Sequence, residues 1–143
     1  DVGASIDRLR RDGFDGRIAI VDLDYHQGNG NSVAFADDAS VFTYSLHGAV
    51  WTQSESQNNL DVHLASGAGD ELYLHTLRST LEPRLREHAP ALVFYLAGTD
   101  ILDDPAEAHV RQVGFRRVKA FSEIANDRIK CSVEVQNHKH SPK

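Results

Sequence analysis

The sequence predicts an α/β fold in which a mostly parallel sheet carries helices on both faces. Three segments are nearly continuous apolar runs of strand length: residues 17–24 (RIAIVDLD), 40–46 (SVFTYSL) and 91–97 (ALVFYLA). Strands buried on both faces read this way, and they are typical of parallel sheets. These runs alternate with helix-like segments, the order that crossover connections produce. The 143 residues are one domain's worth, and a hydrophobic share of 41% is enough for a real core.

Taken in order, residues 4–12 read as a helix with Ile6 and Leu9 on its apolar side and Gly13 as its stop. The strand at 17–24 leads into a polar glycine loop, HQGNGN, and a short helix over 31–36. The second strand, 40–46, is rich in β-branched and aromatic residues. Residues 48–68 read as irregular, with the polar stretch TQSESQNN. Residues 70–88 read as a helix with Leu74, Leu77, Leu81 and Leu85 on one side. Pro83 is expected to kink or split it, because proline removes a donor and crowds the preceding turn. After the strand at 91–97 and Pro105 comes a charged, helix-like stretch to about residue 126. Residues 129–136 (IKCSVEVQ) alternate apolar and polar, the pattern of a half-exposed strand, and the tail HKHSPK is expected to be disordered.

Charge and composition narrow the function classes. The formal net charge is −6 and the pI is about 5.7, which argues against direct nucleic-acid or anionic-membrane binding. No apolar run approaches the roughly 18 residues that span a bilayer, and the first residues lack a signal-peptide core. A single cysteine, Cys131, permits no internal disulfide and fits a reducing compartment. A cytoplasmic location, or a nuclear one in a eukaryote, is therefore expected rather than secretion. The opening at Asp1 within a helix suggests a piece of something longer.

Two of the three apolar strands end in acids. The first ends Asp22-Leu23-Asp24-Tyr25-His26, and the third Ala97-Gly98-Thr99-Asp100. Residues two apart in a strand point the same way, so Asp22, Asp24 and His26 are expected on one side at the strand's C-terminal end. That end is where ligands bind in open α/β sheets. If the two strands are neighbours, Asp100 meets Asp24 and His26. Two carboxylates and an imidazole form a good divalent-metal set with one position open, and a cation between them would offset their repulsion. The residues alone leave a plainer reading open, in which these acids form turns or cap helices.

The longer strings VDLDYHQGNG, VFTYSLHG, LDVHLASGAGDELYL and LVFYLAGTDILDDP resemble the histone deacetylase superfamily, in family order over about residues 1–105. The likeness is greatest to its class IV and bacterial deacetylase-like branch. The resemblance implies a partial three-layer arginase–deacetylase fold and hydrolysis of N-acetyl amides, on acetylated lysine or a small acetylated amine such as a polyamine. It places the zinc ligands on Asp24, His26 and Asp100. It also implies a monovalent-cation site, usually for K+, made by Asp22, the hydroxyl of Ser45 and the backbone carbonyls of Asp24, His26 and Leu46. The loop Gly28-Asn29-Gly30 would turn sharply beyond the ligands, using glycine's conformational freedom. His47 and Trp51 fall near the substrate rim.

The chain also departs from the family. The family's catalytic His pair lies upstream of the match to Asp1, and its Tyr lies in a later Gly-rich loop, so no catalytic residue is assigned here. The stretch AEAHVRQVGFRRVKAF departs from the family pattern, so residues 106–143 are expected to form a divergent, poorly ordered tail behind a partial domain over 1–105. The remaining histidines, His63, His75 and His88, read as surface or helix residues; His138 and His140 read as a solvated end, and Asp103 and Asp104 as turn residues. Two competitors to a zinc deacetylase fragment remain. One is a non-catalytic metal-binding or interaction fragment. The other is a haloacid dehalogenase-like phosphatase, suggested by the D-x-D of Asp22 and Asp24.

Overall fold

A computed structural model describes residues 2–50, 57–65, 67–98, 119–124 and 135–136. Helix α1 (Val2–Arg11) is followed by strand β1 (Ile18–Asp22), helix α2 (Asn29–Ala34), strands β2 (Val41–His47) and β3 (Asn59–His63), helix α3 (Asp70–His88), strand β4 (Leu92–Leu96) and strand β5 (Val135–Gln136). The strands form one sheet in the order β3-β2-β1-β4-β5, and every pairing is parallel. The α/β class and the parallel sheet follow the sequence expectation.

The central strand β1 explains the layering. All five of its residues are buried, and alternate residues serve opposite faces. Ile18 and Ile20 join Val2 and Ile6 of α1, with Val41 and Phe94, in one apolar cluster. Ala19, Val21 and Leu23 join Tyr73, Leu77, Leu81 and Leu85 of α3 in the other. Residues 119–124 are helical, and Phe121 closes this second face by stacking on Tyr95 with ring centroids 4.6 Å apart. α1 ends as the sequence suggests: Gly13 takes a positive φ of 88°, which a side chain would resist.

Two expectations are corrected. Residues 48–68 are not wholly irregular, since β3 lies within them and pairs with β2 from Thr43↔Asn59 to His47↔His63. The alternation of Leu60, Val62 and Leu64 with polar residues was its signal, and these three pack on the α3 side of the sheet. Pro83 does not split α3, which runs unbroken for 19 residues. Pro83 and Ser79 are both exposed, so the helical bond that Pro83 cannot donate to the Ser79 carbonyl is lost on the solvent side of α3, where water can substitute. The buried stripe of α3 is Tyr73, Leu77, Leu81 and Leu85; Leu74 is only partly buried at its margin. The expected boundary between residues 105 and 106 lies outside the described residues, as does most of the segment expected to form a tail. Among the described residues, no helix is long and apolar enough to cross a membrane.

Candidate metal centre

The sheet delivers a row of polar side chains to the C-terminal ends of its strands, the end at which open α/β sheets bind ligands. The alternation that sends Ile18 and Ile20 toward α1 sends Asp22 the same way. Asp22 is in register with Ser45 on β2, and Ser45 with Asp61 on β3. Asp22 and Ser45 are buried, and Asp61 is half-buried.

β1 stops at Asp22, so Asp24 and His26 are not brought together by strand pleating, as the spacing had suggested. A turn does it instead. Asp22 Oδ1 accepts the Asp24 backbone N–H at 3.0 Å, and Asp24 Oδ1 accepts the His26 backbone N–H at 2.8 Å. Asp side chains commonly hold turns this way. The loop is then stitched to residues 48–49. Tyr25 O accepts the N–H groups of Gly48 and Ala49 at 3.0 and 3.1 Å, and Gln27 N–H donates to Ala49 O at 3.1 Å. His26 and Ala49 form a parallel bridge.

The result is a close pair of metal-type donors. Asp24 Oδ1 lies 3.3 Å from His26 Nδ1, and the two side chains keep 32% and 45% of their surface exposed. Two donors bonded tetrahedrally to zinc at about 2.0–2.2 Å stand roughly 3.4 Å apart, so the spacing and the oxygen–nitrogen chemistry fit that ion. The third expected ligand, Asp100, lies outside the described residues. The strand that precedes it is in place: β4 pairs with β1 through Asp22↔Leu96, and Leu23 N–H donates to Leu96 O at 2.9 Å. Among the described residues, no three His, Cys, Asp or Glu side chains converge on one point.

Beneath this pair sit the residues expected to hold a monovalent cation. Ser45 Oγ accepts the Gly28 N–H at 3.1 Å and lies 2.8 Å from His47 Nδ1. A carboxylate, a hydroxyl and backbone carbonyls are hard oxygen donors, the type such an ion takes. Leu46, whose carbonyl would contribute, buries its side chain in the α3-side core. Gly28 corrects one expectation: its φ is −76°, so no left-handed freedom is needed there. What matters is the missing side chain. A Cβ at Gly28 would lie 2.6 Å from Asp22 Oδ2, so the loop runs directly over that carboxylate. Covered in this way, Asp22 is badly placed to attack a substrate, which removes the D-x-D phosphatase reading on geometry.

His47 ends β2 and is only 3% exposed, so it is not a residue of an open rim. Burial lowers its pKa; the nearby Asp61 carboxylate pulls it back up, and His63 lowers it further. Trp51 lies outside the described residues, as do Asp103, Asp104, His138 and His140. His75 is exposed on α3. His88 works at the opposite end of the sheet, where its Nε2–H donates to Ile18 O at 3.0 Å. His63 is exposed, as expected, with Nε2–H donating to Gly48 O at 3.1 Å. Two residues not singled out in the sequence join the site: Gln27, buried at 5% exposure, donates from Nε2 to Asp61 Oδ2 at 2.8 Å. Reading residues 60–64 as an alternating strand would have set Asp61 on the polar face.

Comparison with known proteins bears on the family and the fold. The histone deacetylase domain model matches residues 1–135. An uncharacterized protein of Picosynechococcus sp. is 43% identical over 101 residues, covering 70% of this chain and 34% of the relative. Histone deacetylase 2 of Arabidopsis thaliana is 38% identical over 94 residues, covering 62% of this chain and 24% of the relative. The chain thus spans about a third or less of these relatives' lengths. In three dimensions it is similar to a histone deacetylase homolog from Aquifex aeolicus, with a TM-score of 0.72 and 24% identity over 94% of this chain and 40% of that one. A structure of such a homolog complexed with SAHA gives a TM-score of 0.71 at 24% identity, covering 92% of this chain and 40% of that one.

Proposed function

Because this chain belongs to the histone deacetylase family, we propose that it carries the metal-binding core of a zinc-dependent deacetylase acting on N-acetyl amides, with acetylated lysine or a small acetylated amine as substrate. The observation that supports this most directly is the Asp24–His26 pair, with donors 3.3 Å apart at the C-terminal end of the central strand. Asp24, His26 and Asp100 would hold the zinc, and Asp22, Ser45 and the carbonyls of Asp24, His26 and Leu46 would hold a potassium ion behind it. Bound zinc supplies Lewis-acid polarisation of the amide carbonyl. The chain's own part is to bind and orient. The carboxylate of Asp24 keeps the His26 backbone fixed, and the buried Asp22 anchors the turn from below.

Amide hydrolysis also needs a base for the attacking water and a donor for the developing oxyanion. The first internal candidates are poorly placed for either task. The Tyr44 hydroxyl is bonded to Thr80 at 2.8 Å on the α3 face, opposite to Asp22, and its pKa is pushed up to about 12 by burial. His47 is buried against Ser45. The isolated chain should therefore bind zinc and hydrolyse little. Equilibrium dialysis with zinc, on the chain and on Asp24→Ala, His26→Ala and Asp100→Ala, tests the first half. Each variant should bind at least about tenfold more weakly; unchanged binding in all three would overturn the assignment. A fluorogenic acetyl-lysine substrate tests the second half. Robust, chelator-sensitive turnover by the chain alone would show that base and oxyanion donor lie within these 143 residues.

A further inference from the structure

We infer that Asp61, on the edge strand β3, is a positioning residue for the proposed metal centre, acting through the side chain of Gln27. The inference rests on the zinc reading of Asp24 and His26.

Gln27 directly follows His26 and is fixed at both ends. Its backbone N–H donates to Ala49 O at 3.1 Å, and its side chain donates to Asp61 Oδ2 at 2.8 Å, 34 residues away in sequence. β2 lies between β1 and β3 in the sheet, so this hydrogen bond ties the ligand loop to the strand beyond its neighbour. A backbone pinned one residue past His26 restricts where the imidazole can sit relative to Asp24. The other carboxylate oxygen, Asp61 Oδ1, is buried with no hydrogen-bond partner among the described residues. A buried unpartnered carboxylate oxygen is costly. The carboxylate also acts on buried His47, whose pKa it raises, so its charge has a role in the fold apart from the bond to Gln27. Its hydrogen-bond partner among the described residues, Gln27, is the residue that anchors the ligand loop.

The roles are separable by substitution. Asp61→Asn keeps an acceptor for Gln27 and removes the charge; Asp61→Ala removes both. Residues that support metal ligands from outside the coordination sphere change affinity by roughly 10–100-fold when lost. Asp61 acts one residue removed from His26, so a loss of about tenfold is expected.

The experiment is zinc titration of the 143-residue chain against a chromophoric chelator, with urea unfolding of each variant run in the absence of metal. The doubly substituted Asp24→Ala/His26→Ala chain provides the background from the H-x-H tail. Asp61→Ala and Gln27→Leu should each weaken zinc binding by about tenfold, and the double variant by no more than either single. Asp61→Asn should bind within about threefold of the parent. Additive losses in the double variant, or equal losses in Asp61→Asn and Asp61→Ala, would overturn the inference. So would parent-like affinity in Asp61→Ala. If Asp61→Ala fails to fold, Gln27→Leu against Asp61→Asn still decides, because only the first breaks the hydrogen bond. Parent-like zinc binding by Asp24→Ala/His26→Ala would instead overturn the zinc reading itself, and this inference with it.

Discussion

Replacing Gly28 with Ala should be among the most damaging single-methyl additions to this protein, although the backbone there suits alanine. The φ of −76° at Gly28 imposes no strain on an L-residue, so any effect is steric. The added Cβ would stand 2.6 Å from Asp22 Oδ2 and 3.2 Å from both Cβ and Cγ of Asp22. Asp22 sits in a fully buried strand and has little room to withdraw. Overpacking of this kind costs about 1–3 kcal/mol. Relief by rotating the carboxylate would loosen its bond from Asp24 N–H, worth another ~1 kcal/mol or more. A loss of about 2–3 kcal/mol follows, which at a urea m-value near 2 kcal/mol/M lowers the midpoint by roughly 1 M. Gly30 is the control: it is helical and a Cβ there meets nothing within 4 Å. Gly30→Ala should stabilise by about 0.5–1 kcal/mol. Urea unfolding followed by far-UV circular dichroism measures both. A Gly28→Ala variant as stable as the parent, or a Gly30→Ala variant equally damaged, would refute the close approach.

Three further outcomes are expected. Ala89 caps α3 in the left-handed region at φ 46°, so Ala89→Gly should raise stability by roughly 0.5–1 kcal/mol despite losing a methyl, and a lower urea midpoint would contradict the cap geometry. Thr80 donates its proton to Thr76 O at 2.7 Å, which makes Tyr44 the donor to Thr80; Tyr44→Phe should then cost about 1 kcal/mol while leaving zinc affinity in the chelator assay unchanged. His88 has its pKa lowered, chiefly by burial and against the pull of its bond to Ile18 O, so the unfolded chain takes up a proton before the folded one does. Its contribution is intact above the unfolded pKa of about 6.5 and is lost as pH falls toward the lower folded value; urea midpoints between pH 7.5 and 5.5 should fall less steeply in His88→Gln than in the parent.

Local patterning made the three central strands and the parallel class legible, because burial on both faces leaves an uninterrupted apolar run, and leucine spacing marked the helix at 70–88. The sequence also put Asp22 at a strand end with Asp24 and His26 next in the chain, but a turn rather than the strand's pleat brings those two together. Missed was β3: its half-buried alternation is short and follows a long polar stretch, and its apolar face becomes a core face only once α3 lies over it. Pro83 misled because the rule against helical proline assumes a carbonyl with nowhere else to turn, and the exposed side of α3 removes that cost. Only packing set β1 between β2 and β4, made Gly28 matter for its closeness to Asp22 rather than for its dihedral, and brought Asp61 to Gln27. The strand order and the Asp61–Gln27 bond join segments far apart in the chain, and the approach of Gly28 to Asp22 comes from an aperiodic turn. Local periodicity records which side of an element is apolar, but not which distant residue will stand opposite it.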